Sequence, residues 1–140
     1  MRISVLLCIE ADGKKLPPFL VFKGEKEKIK EKKLQAYSKS KGNKVYISCQ
    51  ENAWCNAEIF LKWLKIIFFN NRVISNSINK IVIMDRATSH YHHDLVKLFK
   101  ENNSRYLLIP PGLTPFIQPL DVSINDLLKK NYIIGTLILK

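Results

Sequence analysis

Two aspartates of this chain stand where a carboxylate can take part in chemistry. Asp85 directly follows the apolar run from Ile81 to Met84, and Asp121 ends a connector that carries four prolines between Pro110 and Pro119. Prolines fix the backbone of a loop, so this connector would deliver Asp121 to a defined place. Two convergent carboxylates suit Mg²⁺, which keeps waters and phosphate oxygens as its other ligands. If Asp85 and Asp121 converge, the pair therefore predicts a Mg²⁺ site.

Each aspartate also has a purely structural interpretation. Asp85 can accept hydrogen bonds from amides of the turn that follows it, before a helix that begins near Ser89. Asp121 can cap a helix predicted from about Val122 to Lys130, because an aspartate at that position also complements the helix dipole. The local sequence alone leaves both interpretations open.

The elements around Asp85 indicate a parallel α/β arrangement. The run Ile81–Met84 is typical of a strand that is buried on both faces. A helix from about Ser89 to Asn102 follows it, and a short strand from about Tyr106 to Ile109 comes next. This β-α-β order favours a parallel crossover and an open sheet whose carboxyl edge binds ligands. The fold class that we predict is α/β, in one domain over residues 1–140.

The first half of the chain supplies further strands. The segment Ile3–Glu10, the turn from Ala11 to Lys14 and the segment Phe19–Lys23 together predict a β-hairpin. A short strand is expected from Val45 to Ser48, and a helix capped by Asn56 extends to about Phe69. The apolar residues from Ile133 to Lys140 show no clear periodicity, and we assign them no role.

Positive charge dominates the composition and points to an anionic partner. The chain carries 23 Lys and Arg against 12 Asp and Glu, a net charge of +11. Many lysines lie between Lys23 and Lys44, in a stretch that reads as a solvated loop or a frayed helix. Such lysines can contact phosphates, or they can form a plain charged surface. The candidate nucleic-acid-binding residues are Lys26, Lys28, Lys30, Lys32 and Lys33.

Two other classes of protein fit the sequence poorly. No apolar run approaches the roughly 20 residues of a spanning helix, and no signal peptide is recognisable, so we expect no membrane partner. Cys8, Cys49 and Cys55 are odd in number and lack the spacing of a zinc site or a disulfide framework.

Three segments carry a resemblance to a known family. They are Ala11–Pro18 (ADGKKLPP), Met84–His90 (MDRATSH) and Pro110–Val122 (PPGLTPFIQPLDV), in that order and over most of the chain. Together they resemble successive landmarks of the DDE superfamily endonuclease domain of pogo, Tigger and jerky-like transposases, related to centromere protein B. A lone ADG is a weak signal, but the third segment following the second is a strong one.

The resemblance implies a ribonuclease-H-like mixed sheet flanked by helices, with three acids holding two Mg²⁺ or Mn²⁺ ions for DNA cleavage and joining. Asp85 matches the second acid and Asp121 the third, while His90 matches a landmark whose role is open. The first acid belongs to a central strand that we expect to precede Ile3. Asp12 does not replace it, because its family counterpart is the turn aspartate. We therefore expect this copy, lacking that strand, to be inactive.

Three functions follow as alternatives. The chain is part of a DNA endonuclease completed by other residues, a non-catalytic nucleic-acid-binding remnant or domesticated protein, or a module that associates with itself through apolar strand edges left unpaired. The first two imply DNA as partner and the nucleus as location. Metal-dependent nicking, salt-sensitive DNA binding and self-association without DNA distinguish the three.

Overall fold

The structure is a computed structural model that describes residues 3–24, 28–40, 42, 44–70, 80–86, 93–118, 120 and 137–139. For residues 28–31, 34, 37 and 137–139 it describes the backbone alone. The chain divides into two compact units. Unit 1 comprises Met1–Cys55 with Ile124–Lys140, and unit 2 comprises Asn56–Ser123. Both units combine helices with strands, so the predicted α/β class is confirmed.

The described strands form two sheets where the sequence predicted one mixed sheet. Unit 1 contains a four-stranded sheet. Its strands are, in spatial order, β3 (Tyr46–Gln50), β2 (Phe19–Lys23), β1 (Ile3–Leu6) and β6 (Leu137–Leu139). Unit 2 contains a two-stranded sheet of β4 (Lys80–Met84) and β5 (Ser104–Leu108).

The predicted hairpin is confirmed and its turn explains the local sequence. Strands β1 and β2 are antiparallel, with Ile3 opposite Phe22. Gly13 has a φ of +87°, a left-handed conformation that glycine adopts without steric cost. The Glu10 N–H donates to the Lys14 carbonyl at 2.8 Å, and Asp12 accepts from the Lys14 N–H at 3.0 Å. Asp12 therefore has a structural role in the turn, as expected.

The core of unit 1 follows the two-residue period of its strands. Phe19 and Val21 of β2 are both fully buried, at 0% exposure, and Leu16 lies just before them at 4%. Buried Ser4 on β1 donates its hydroxyl to the carbonyl of Ala53, which satisfies a polar group inside the core.

The C-terminal residues have a role that the sequence did not indicate. Strand β6 pairs in parallel with β1, with Ile3 opposite Leu137 and Val5 opposite Leu139. This pairing fills the edge of β1 that we expected to be left open by a missing central strand. Long-range pairing of this kind has no local sequence pattern, which is why no periodicity marks this segment.

Unit 2 begins with the predicted helix. Helix α2 (Ala57–Trp63) starts after Asn56, whose side-chain oxygen accepts from the Ile59 N–H at 2.9 Å. The helix then widens into a π-helical turn, Leu64–Phe68, which the sequence did not predict. Its buried side chains Leu64, Ile67 and Phe68 continue the apolar face of α2.

The predicted β-α-β segment is confirmed as two parallel strands joined through a helix. Strand β4 (Lys80–Met84) pairs with β5 (Ser104–Leu108), and helix α3 (His93–Glu101) lies between them in the chain. Leu95, Leu98 and Phe99 of α3 are buried, as the helical spacing required.

The prediction that β4 is buried on both faces is wrong. Val82 and Met84 are buried, but Ile81 and Ile83 are 57% and 62% exposed. Ile83 is opposite Leu107 of β5, which is 58% exposed, so one face of the pair is apolar and accessible. An apolar run reports that a strand prefers burial, but a two-stranded sheet packed on one side covers only one face.

Candidate functional site

Asp85 lies at the carboxyl end of β4, where the sequence placed it. The residue is half-buried and directly follows buried Met84. The Met84 carbonyl accepts from the Ile109 N–H at 2.8 Å, so the ladder between the two strands continues one residue beyond Leu108. Because β4 and β5 are parallel, Asp85 and the start of the proline-rich connector leave the sheet from the same edge.

The connector after β5 is ordered by local backbone bonds. The Leu113 N–H donates to the Pro110 carbonyl at 3.2 Å across a turn in which Gly112 has a φ of +82°. A single helical turn, α4 (Thr114–Ile117), follows, with Pro115 among its first residues, where no N–H is needed. The stiffness predicted from the prolines therefore takes the form of a turn and one turn of helix.

Gln118 ends this turn with an unusual side chain. Its Oε1 atom is buried and accepts no hydrogen bond from the described part of the chain. A buried acceptor without a donor costs about 1–3 kcal/mol, whereas the backbone N–H of Gln118 donates to the Thr114 carbonyl at 3.1 Å. Gln118 lies in the QPLD landmark of the resemblance, three residues before Asp121.

The second predicted acid and the histidine landmark lie outside the described residues. Asp121 and His90 both fall there, so the distance between the Asp85 and Asp121 carboxylates stays a prediction. Within the described ranges, no group of three or more His, Cys, Asp or Glu side chains is arranged to hold a metal ion. At the carboxyl end of β4, Asp85 supplies one hard oxygen ligand of the kind that Mg²⁺ takes. A second carboxylate would be needed beside it to hold the ion.

The predicted basic segment forms a helix in its middle part. Helix α1 (Lys28–Ser40) includes four of the five predicted nucleic-acid-binding lysines, and Lys26 lies outside the described residues. Lys32 and Lys33 are exposed, whereas only the backbone is described at Lys28 and Lys30. The sequence left a solvated loop and a frayed helix open for this stretch, and the structure shows a helix.

A glutamine attaches this helix to the sheet of unit 1. Gln35 donates from Nε2 to the Val45 carbonyl at 2.8 Å and accepts at Oε1 from the Ile47 N–H at 2.8 Å. Its primary amide thus bonds to the backbone on both sides of Tyr46. Ser38, 7% exposed, lies on the same side of the helix. Sequence analysis missed Gln35, because a glutamine in a charged helix looks like ordinary solvent-facing surface.

Cys8 is not a reactive thiol. Burial, and secondly the charge of Glu10, raise the pKa of Cys8 from its ordinary value of 9.0 to about 11. A thiol must lose its proton to act as a nucleophile or a metal ligand, so Cys8 stays inert at neutral pH.

The chain belongs to the DDE superfamily endonuclease family, whose sequence pattern it matches over residues 1–138. The resemblance carried by the three landmark segments is therefore confirmed. In the parts of the chain that the structure describes, no helix is both long and apolar enough to cross a membrane.

Several known proteins are similar to the chain over nearly its whole length. A mouse protein, pogo transposable element with KRAB domain, is 28% identical over 137 residues, which is 94% of this chain and 21% of that protein. The human protein of the same name is 24% identical over 136 residues, again 94% and 21%. An MFS-type transporter clz9 of Cochliobolus lunatus is 29% identical over 133 residues, 93% of this chain but 14% of that protein.

The chain thus spans about a fifth or less of the length of these relatives. The transporter's name describes a protein of which most lies outside the match. No solved structure matches the chain.

Proposed function

We propose that this chain is part of the catalytic domain of a transposase-derived endonuclease that cleaves and joins DNA phosphodiesters. The observation that carries the proposal is the placement of Asp85 at the carboxyl end of parallel strand β4, within a match to the endonuclease family over residues 1–138. The pogo names of the relatives support a transposon origin. A ribonuclease-H-like arrangement of the whole domain, and a nuclear location, are part of the same proposal.

Asp85 and Asp121 are the residues that would hold Mg²⁺ or Mn²⁺. Bound divalent ions in such sites lower the pKa of the attacking hydroxyl and stabilise the leaving oxygen. The residues of this chain would position the ion. Strand β4 fixes the backbone that leads into Asp85, and the turn from Pro110 to Leu113 begins the connector at the same edge of the sheet. Both acids belong to unit 2, so the proposal needs no statement about unit 1.

The 140 residues supply a match for two acids of the family's three. We therefore expect these residues alone to bind an ion weakly and to cleave DNA very slowly or not at all. Under the alternative, a non-catalytic nucleic-acid-binding protein, the +11 charge would carry DNA binding while Asp85 would serve only the turn after β4.

Metal binding tests the assignment more directly than cleavage. Mn²⁺ binding to the 140-residue chain is measured by electron paramagnetic resonance for the wild type, Asp85→Asn and Asp121→Asn. We expect each substitution to lower Mn²⁺ affinity about tenfold or more, because each removes one anionic ligand. Asp94→Asn, in helix α3, is the matched control and should bind as the wild type does. Equal affinity in all four proteins would refute the site.

Cleavage is then measured on supercoiled plasmid with Mg²⁺ or Mn²⁺. Any nicking by the wild type should disappear in Asp85→Asn and persist in Asp94→Asn. Nicking that survives the loss of Asp85 would show that another residue performs the chemistry.

A further inference from the structure

We propose that helix α1 is a docking surface for the sugar-phosphate backbone of duplex DNA, and that Gln35 is the residue that holds it in place. This inference takes its choice of DNA from the proposed function. It does not depend on the metal site, because the surface lies in unit 1 and its binding requires no acid of unit 2.

The first step is that α1 has a defined inner side. The two bonds from Gln35 reach the backbone at Val45 and Ile47, on the edge of the sheet formed by β3. The hydroxyl of Ser38, one turn further on, also faces the Val45 carbonyl, at 3.5 Å. A side chain that both donates to and accepts from one strand sets the rotation of the helix as well as its position.

The second step is that the lysines lie outside this contact. Lys32, Lys33 and Lys39 are exposed, and so are Ala36 and Ser40. On a helix, Lys33, Ala36 and Ser40 point away from the side that carries Gln35 and Ser38. Lys32 and Lys39 lie one turn before and one turn after Gln35, at the edge of its side of the helix. Ala36 is within one turn of Lys32, Lys33 and Lys39, so the three lysines border one surface around it.

The third step concerns spacing. Lys32 and Lys39 are two helical turns apart, which is about 10 Å along the axis at 1.5 Å per residue. A strand of B-DNA places successive phosphates roughly 3.4 Å apart along its own axis. A helix lying along the duplex axis would therefore carry these lysines past about three phosphates of one strand, and helical structure keeps their spacing fixed.

The fourth step is that the surface fits DNA better than it fits an anionic membrane. Helices that bind a membrane surface bury an apolar face among the lipids. Beside the three lysines, the exposed side chains that the structure describes on α1 are Ala36 and Ser40, and both are too small for such insertion. A hydrophilic lysine surface suits the solvent-exposed phosphates of a DNA backbone, because such contact needs no insertion into lipid.

The test measures binding of the 140-residue chain to a fluorescein-labelled 20-base-pair duplex across a range of salt concentrations. Lys32, Lys33 and Lys39 are replaced together by Gln. We expect the slope of log affinity against log salt to become shallower by about 2 to 3, since each phosphate contact contributes about 0.9. The matched control replaces Lys65, Lys97 and Lys100, three exposed lysines of unit 2, and should leave the slope within about 1 of the wild type.

Gln35→Ala tests the positioning. It leaves the net charge unchanged, so a surface that acts through charge alone would bind as before. We expect affinity to fall roughly three- to tenfold, because the lysines then have to be ordered when DNA binds. In the background of the triple lysine variant, Gln35→Ala should have no further effect, since the residue acts through those lysines. Circular dichroism melts identify any variant that has lost its fold, and the double-variant comparison remains informative when stability falls.

Three results would overturn the proposal. Equal loss of slope in the two triple variants would make the binding a property of net charge. Unchanged affinity in Gln35→Ala would remove the positioning role. Tighter binding to vesicles of phosphatidylcholine and phosphatidylserine than to the duplex, abolished by the triple variant, would reassign the surface to membranes. If the Mn²⁺ binding test fails but the expected salt slopes and affinities are found, the proposed metal site is refuted and the DNA-binding surface is not.

Discussion

The sheets of the two units contain similar strands but differ in what covers them. Strand β2 of unit 1 has neighbours on both sides, and its Phe19 and Val21 are fully buried. Strand β4 of unit 2 pairs with β5, and its Ile81 and Ile83 are more than half exposed. Both strands are equally apolar in sequence. The difference teaches that the apolar character of a strand predicts its tendency to be buried, whereas the layers that pack against its sheet decide which faces are covered.

Substitution of one strand residue in each unit should show the largest difference between the two sheets in the free energy of unfolding. Phe19→Ala is expected to lower the free energy of unfolding by about 3–5 kcal/mol, because it leaves a cavity in a closed core. Ile83→Ala, at an exposed position, should cost at most about 1 kcal/mol. Urea unfolding followed by circular dichroism gives both values. Similar losses in the two variants would mean that the outer face of β4 is covered in solution.

A rise in pH should weaken the hairpin of unit 1. The pKa of Cys8 is raised from 9.0 to about 11 in the folded chain. Between these values the unfolded thiol loses its proton while the folded thiol keeps it, so stability is fully present below pH 9 and declines up to pH 11. The loss should reach about 2 kcal/mol, since one pKa unit corresponds to 1.36 kcal/mol.

Two cysteine variants isolate this effect from other groups that titrate in alkali. Cys8→Ala should show a decline between pH 9 and 11 that is smaller by that amount, whereas Cys55→Ala should keep the decline of the wild type. Urea unfolding at several pH values measures both. Parallel curves for the wild type and Cys8→Ala would contradict the raised pKa.

The start of unit 2 offers a smaller effect. Asn56→Ala removes the oxygen that accepts from the Ile59 N–H and should lower stability by about 1 kcal/mol. Asn52→Ala, at an exposed turn position in unit 1, is the control and should change stability by no more than about 0.5 kcal/mol. The shift in urea midpoint at constant slope reports each change. If Asn52→Ala proves as costly as Asn56→Ala, the cap does not explain the loss.

The smallest effect on stability should accompany the largest effect on association. We expect Ile81→Lys with Ile83→Lys to change the free energy of unfolding by about 0.5 kcal/mol or less, because both side chains face solvent. Exposed apolar surface promotes contact between molecules, so the wild type should associate in sedimentation velocity runs and this variant should remain monomeric. Val96→Lys, at an exposed position of α3, should associate as the wild type does. A wild type that is monomeric at all concentrations would remove self-association from the properties of this chain.

Local patterns accounted for much of what positions the candidate site. The hairpin turn at Gly13 and the cap at Asn56 each depend on residues a few positions apart, so their chemistry is readable in the sequence. The spacing of Leu95, Leu98 and Phe99 gave the inner face of α3, and Asp85 was placed correctly at the end of β4. The family followed from three landmark segments in order, which the match over residues 1–138 confirmed.

Tertiary structure alone decided the features that join distant parts of the chain. The pairing of β6 with β1 consists of backbone hydrogen bonds, which any sequence can make and which leave no residue pattern. The attachment of Gln35 joins its side-chain amide to backbone groups of Val45 and Ile47, ten and twelve residues further on, and no local pattern marks these partners. Exposure of Ile81 and Ile83 depends on how many layers pack against a sheet, a property of the whole unit. The sequence determined which groups are available for chemistry and which short elements form. The pairing of β6 with β1 in unit 1, the orientation of the lysine helix and the exposed face of β4 arise only when remote segments meet.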